Sequence, residues 1–202
     1  MTKPVFVHVE KTGGASLSEY FGGHKPVDPN ACVDVTNYGQ HFRRLKGVLK
    51  SSEDRAIIVL RNPADRAVSA YGWKRQKAGR DYDKDLQKVI SEGIKSTAPK
   101  MQFTMSDAVH LSAKQMRLTP YKFYWDGLDI DDDRVTVLCT ENLEDDVRTK
   151  VIPMCDIEPT QTFPVIHKTR HDETTIDKDL RDKLYSMYKD DFDIYNKFCG
   201  KN

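Results

Sequence analysis

The chain has 202 residues, 38% of them hydrophobic and 31% charged, which is enough for one soluble domain with a sizeable core. Its 32 basic and 31 acidic residues leave a formal charge of +1, so no global field draws nucleic acid and an anion site has to be local. No stretch reads as a signal peptide or a membrane segment, and the expected location is cytoplasmic.

Val5, Phe6, Val7 and Val9 form an apolar, β-rich run, expected as a strand over residues 5–9. Ser16 to Phe21 has room for one or two helical turns, so Glu10 to Ala15 reads as a strand-loop-helix junction. Such a junction suits anions. Gly13 and Gly14 let the backbone approach a ligand, the helix start offers N–H groups and a positive dipole end, and Lys11 adds a full charge. A Walker A loop would place its lysine after the glycines, and here the order is reversed. Lys11-Thr12-Gly13-Gly14-Ala15-Ser16 after an N-terminal strand instead resembles the 5′-phosphosulfate loop of sulfotransferases that use 3′-phosphoadenosine 5′-phosphosulfate (PAPS). The resemblance is closest to the branch acting on carbohydrates. Glu10 stands where that family commonly has proline, and Ala15 where it commonly has a hydroxyl residue.

Gly22 and Gly23 end the first helix, and a second strand is expected over residues 31–36. Gln40 to Lys50 carries Phe42, Leu45, Val48 and Leu49 at helical spacing, with His41 near its start. A histidine titrates near neutrality, which suits a general base. The resembled family often has a catalytic histidine between its two anion motifs, which implies His41 as the base, with His24 as the rival in the same interval.

Ala56 to Leu60 is a continuous apolar run, as for a buried parallel strand, and Pro63 suits a helix start just after it. Arg61 at the carboxyl end of that strand and Ser69 two turns along the helix are placed to converge on one anion. Arg61-Asn62-Pro63-x-x-Arg66-x-x-Ser69-x-Tyr71 resembles the 3′-phosphate motif of the same enzymes. Arg66 is expected to hold the motif's own loop by an ion pair rather than to touch ligand.

Trp73 to Lys100 is charged and mostly helical in pattern, and its cations from Lys74 to Arg80 read as a solvated helix end or, from their place after the second motif, as a contact for an anionic acceptor. A further helical segment is expected over 101–117, and Phe123, Tyr124 and Trp125 read as core or interface. Asp129 to Asp133 lacks the order of a calcium loop and reads as a solvated turn. Val135 to Cys139 is a further strand, followed by a helix start in which Glu141 is structural. Phe163 to Arg170 resembles the family segment that closes over the nucleotide, implying Lys168 and Thr169 as ligands, with His167 in place of the usual asparagine. Ile176, Leu180, Leu184, Met187, Phe192, Tyr195 and Phe198 stripe one final helix. Cys32, Cys139, Cys155 and Cys199 form no Cys-x-x-Cys pair and are expected as buried, reduced thiols.

These elements predict an α/β protein with a mostly parallel sheet and helices on both faces, residues 1–202 forming one domain. The resemblance implies the P-loop-like fold of PAPS sulfotransferases and transfer of a sulfuryl group to an acceptor hydroxyl on a glycan or small molecule. It also implies that Lys11, Thr12, Gly13, Gly14, Ala15 and Ser16 hold the 5′-phosphosulfate and that Arg61 and Ser69 hold the 3′-phosphate. Lys11 and His41 would be catalytic, the product adenosine 3′,5′-bisphosphate, and no metal needed. Two other classes stay open: a P-loop nucleotide kinase or NTPase, and an inactive nucleotide-binding module.

Overall fold

The computed structural model describes residues 3–22, 32–35, 43–78, 119–155, 162–164 and 178–200. Among the described residues three parallel strands form the sheet, in the order β1 (Val5–Val7), β2 (Ala56–Leu60), β3 (Val135–Cys139). Val5 pairs with Ala56, and β2 pairs with β3 from Ala56 opposite Val135 to Leu60 opposite Cys139. Beside β1, on the edge away from β2, Asp34 makes a parallel bridge to Val5: Phe6 N donates to Asp34 O and Asp34 N to Pro4 O, each at 2.9 Å.

β2 is buried at every residue, which is why its sequence is apolar throughout rather than alternating. Phe6, Ile57, Val59 and Leu138 point to one face, where Leu17 of α1 (Gly14–Tyr20) and Leu143, Val147 and Ile152 meet them. Leu143 belongs to α5 (Leu143–Asp146), which follows a 3₁₀ turn at Thr140–Asn142 and continues through a π-helical turn (Val147–Val151) into α6 (Ile152–Cys155). Val7, Ile58, Leu60 and Val137 point to the other face, against α2 (Leu45–Val48) and α4 (Tyr121–Trp125). Tyr195 of α8 (Lys189–Cys199) joins them there. Two further helices among the described residues, α3 (Pro63–Ala78) and α7 (Lys178–Met187), pack on each other. Among the described residues no helix is long and apolar enough to cross a membrane.

Several expectations need correction. The first strand stops at Val7, because the Val9 carbonyl turns to the Thr12 hydroxyl instead of continuing the ladder. The second expected strand is, within 32–35, a single bridge at Asp34. The helix expected over 40–50 is one turn within the described residues, since Arg44 is extended (φ −91°, ψ 149°) and the helix begins after it. The final helix is two. Tyr188 (φ −108°, ψ 30°) separates α7 from α8, so that α7 packs on α3 while α8 reaches β3 and α4 as well as α3.

The cysteines are not thiols. Cys32 is bonded to Cys155 and Cys139 to Cys199, with Cα separations of 5.4 and 5.7 Å. Sequence spacing hid this, because the partners lie 123 and 60 positions apart and meet only where β3 and α8 end side by side and α6 reaches the edge segment. Denatured but unreduced protein is therefore expected to show no maleimide-reactive cysteine and, after reduction, four; labelling without reductant would contradict the pairing.

Candidate active site

The loop between β1 and α1 is built by capturing its carbonyls. Val9 O accepts the Thr12 hydroxyl at 2.9 Å, Glu10 O accepts Arg66 Nε at 2.9 Å, and Lys11 O accepts Arg61 Nη1 at 3.3 Å. The Thr140 hydroxyl lies 2.7 Å from Thr12 O and 2.9 Å from Leu60 O, joining the loop to the end of β2. A trans peptide sets its N–H opposite its carbonyl. Four successive carbonyls held by side chains thus turn the N–H groups of Glu10, Lys11, Thr12 and Gly13 away from those side chains, which is how backbone nests receive anions.

Lys11 (φ 63°) and Gly13 (φ 88°) both take the left-handed conformation. Glycine does so freely, whereas for lysine it costs on the order of 1–2 kcal/mol. The strain is maintained from outside, since the carbonyls on either side of the Lys11 Cα are the ones gripped by Arg66 and Arg61. Gly13 is the cap of α1 and supplies no side-chain acceptor; its carbonyl receives Ser16 N at 3.0 Å and Leu17 N at 3.3 Å. Gly14 and Ala15 are the first-turn residues whose N–H groups a helix does not bond internally. Gly14 has to be glycine because a Cβ there would run into the ring of His8, which is buried at 4% exposure.

The second motif begins where β2 ends. The Arg61 peptide is clamped by one phenol: its N–H donates to Tyr121 Oη at 3.0 Å, and Tyr121 Oη donates to its carbonyl at 2.5 Å. Asn62 caps α3 by accepting the Ala64 N–H at 3.0 Å, and its own N–H donates to Glu141 Oε1 at 3.0 Å, so Glu141 has a structural contact. Ser69 lies within α3 and is 4% exposed. Arg66 is fully buried and, besides Glu10 O, donates to Thr119 O at 2.9 Å, with Asp191 Oδ2 at 3.8 Å and the Tyr121 ring centroid at 4.9 Å. Its grip is on the first motif's loop rather than on its own.

The Sulfotransferase family model matches residues 3–198. The chain belongs to the sulfotransferase family. A crystal structure of a sulfotransferase from Alicyclobacillus acidocaldarius has the same fold, with a TM-score of 0.51 at 16% identity, covering 100% of this chain and 98% of that one. No curated protein is significantly similar in sequence. Sulfuryl transfer is thus the chemistry of this enzyme's family, which displaces the kinase reading.

In this sulfotransferase the two motifs read separately from the sequence come together. Lys11, Thr12, Gly13, Gly14, Ala15 and Ser16 form one loop and helix start, and Arg61 reaches it directly. Burial, and then the neighbouring Arg61 charge, lower the Lys11 ammonium to about 8, with Glu10 working in the opposite direction. Glu10, out of pattern for an anion loop, thereby supports the lysine's charge. Burial also lowers Arg61, against Asp65, Glu141 and Tyr121. Two half-buried cations, both lowered by burial and Lys11 also by Arg61, mark a place where an arriving anion gains most. The Thr12 side chain is buried, its hydroxyl donating to Val9 O. His41, His24, Lys168 and Thr169 lie outside the described residues.

Sequence reading missed three residues of this site. Thr140 and Tyr121 act across 128 and 60 positions of chain, and no local pattern announces them. His8 did leave a signal, as a polar residue between Val7 and Val9 in an apolar run.

Proposed function

We propose that this enzyme moves the sulfuryl group of PAPS to a hydroxyl of a carbohydrate acceptor, as one catalytic domain. The observation that carries the reading is the contact of Arg61 Nη1 with Lys11 O at 3.3 Å, which puts the cation of the second motif on the loop of the first. The residues suit such a donor: an amide nest, two cations lowered by burial, and a glycine whose Cβ would strike His8. When bound, the donor supplies the sulfuryl group and a nucleotide leaving group.

The loop amides with Lys11, Thr12, Gly13, Gly14, Ala15 and Ser16 hold the 5′ end, and Arg61 with Ser69 holds the 3′-phosphate. Lys11 also meets charge that develops on the leaving oxygen, and His41 takes the acceptor's proton. Lys168 and Thr169 close over the nucleotide. The carbohydrate acceptor rests on the resemblance of the first motif. Disulfides persist in oxidising compartments, and the two bonds here favour such a compartment over the cytoplasm expected from sequence.

Calorimetry with adenosine 3′,5′-bisphosphate and AMP tests the donor. The bisphosphate is expected to bind far better, and Arg61→Ala to weaken it roughly tenfold or more, since a charge-assisted hydrogen bond contributes about 1.5–3 kcal/mol. Equal affinity of the unmodified protein for both nucleotides would remove the proposal.

A further inference from the structure

We propose that Arg66, Tyr121 and Asp191 form a buried positioning unit that fixes Lys11 relative to Arg61, so that the site selects a nucleotide carrying two separate anionic groups. The inference rests on the donor reading above. Each of the three is almost wholly buried, and together they touch both motifs from behind. Arg66 Nε takes the Glu10 carbonyl at 2.9 Å, one side of the strained Lys11. Tyr121 Oη takes both ends of the Arg61 residue, its N–H at 3.0 Å and its carbonyl at 2.5 Å. Burial holds that phenol well above its ordinary value, so it stays protonated and keeps donating.

Asp191 joins the two arms. Its Oδ1 accepts the Tyr121 N–H at 2.8 Å, while its Oδ2 faces Arg66 Nη1 at 3.8 Å, an attraction of charge rather than a hydrogen bond. The Arg66 guanidinium lies over the Tyr121 ring at 4.9 Å, which closes the triangle. Asp191 sits in the first turn of α8, whose far end is tied to β3 by the Cys139–Cys199 bond. The spacing of the two cations is therefore referred to the sheet through α8.

Tyr121→Phe keeps the ring and the packing and removes only the hydroxyl on Arg61. It is expected to weaken adenosine 3′,5′-bisphosphate about five- to tenfold and AMP less than twofold. The loss should vanish in an Arg61→Ala background, giving a non-additive cycle. Equal weakening of both nucleotides, or additive losses, would reduce Tyr121 to a core residue and overturn the unit.

Arg66→Lys tests the other arm, because it keeps the charge and gives up the two-pronged grip on Glu10 and Thr119. Turnover should fall more than bisphosphate affinity and should not fall further in a Lys11→Ala background; unchanged turnover would overturn this arm. If that variant does not fold, the Tyr121→Phe cycle decides alone. A lack of bisphosphate preference in the unmodified protein removes the donor reading and the unit with it, whereas a preference that survives Tyr121→Phe removes the unit only.

Discussion

Lys11→Ala is expected to lower turnover by ~10²–10³-fold while weakening adenosine 3′,5′-bisphosphate only about tenfold. On the proposed donor reading the product nucleotide already carries the charges that the loop amides and Arg61 meet, so losing one cation among several donors costs it modestly. Charge on the bridging oxygen grows as the sulfuryl group departs, and an ammonium held beside it contributes more in the transition state than in the ground state. Equal losses in turnover and product affinity would make Lys11 a binding residue alone.

The same lysine predicts a pH dependence. Burial and Arg61 lower it to about 8 in the nucleotide-free protein, and a bound anion would raise it again. Binding then takes up a proton at pH values above about 8, so bisphosphate affinity should be level below that pH and fall as pH rises through it. The Lys11→Ala protein should lose this decline. A slope that persists in the variant would assign the titration to another group.

How much of this was legible depends on where the determinants lie. Ala56–Leu60 and Val135–Cys139 were read to the residue, because strands buried on both faces must be apolar throughout. Edge elements were read less well, since within residues 32–35 the pairing to β1 is a single bridge at Asp34. Both strand-loop-helix junctions were visible because glycine, lysine and arginine at fixed spacing have local reasons to be there. Their geometry was not visible. The carbonyls of Glu10 and Thr12 are held by Arg66 and Thr140, 56 and 128 positions away, and only the parallel sheet brings those residues beneath the loop. The disulfides were hidden for the same reason, and the thiol expectation leaned on compartment rather than on geometry.

His41→Ala should lower sulfuryl transfer by ~10²–10⁴-fold and leave product-nucleotide affinity nearly unchanged. A hydroxyl attacks sulfur poorly unless its proton is removed as the new bond forms, and Lys11 and Arg61 as cations cannot accept that proton. The base must be neutral to act, so the rate should fall as pH drops through the histidine's pKa, starting from an unperturbed value of about 6.5. Burial and Arg61 lower Lys11 to about 8 in the nucleotide-free protein, so kcat/KM for the donor is expected to follow a bell-shaped profile, with its acid limb removed in the His41 variant. His24→Ala is the control, because it lies in the same interval between the motifs. Loss of transfer in the His24 variant with near-normal transfer in the His41 variant would move the role to His24. Retention of both transfer and the acid limb in the two variants would mean that neither histidine takes the acceptor's proton.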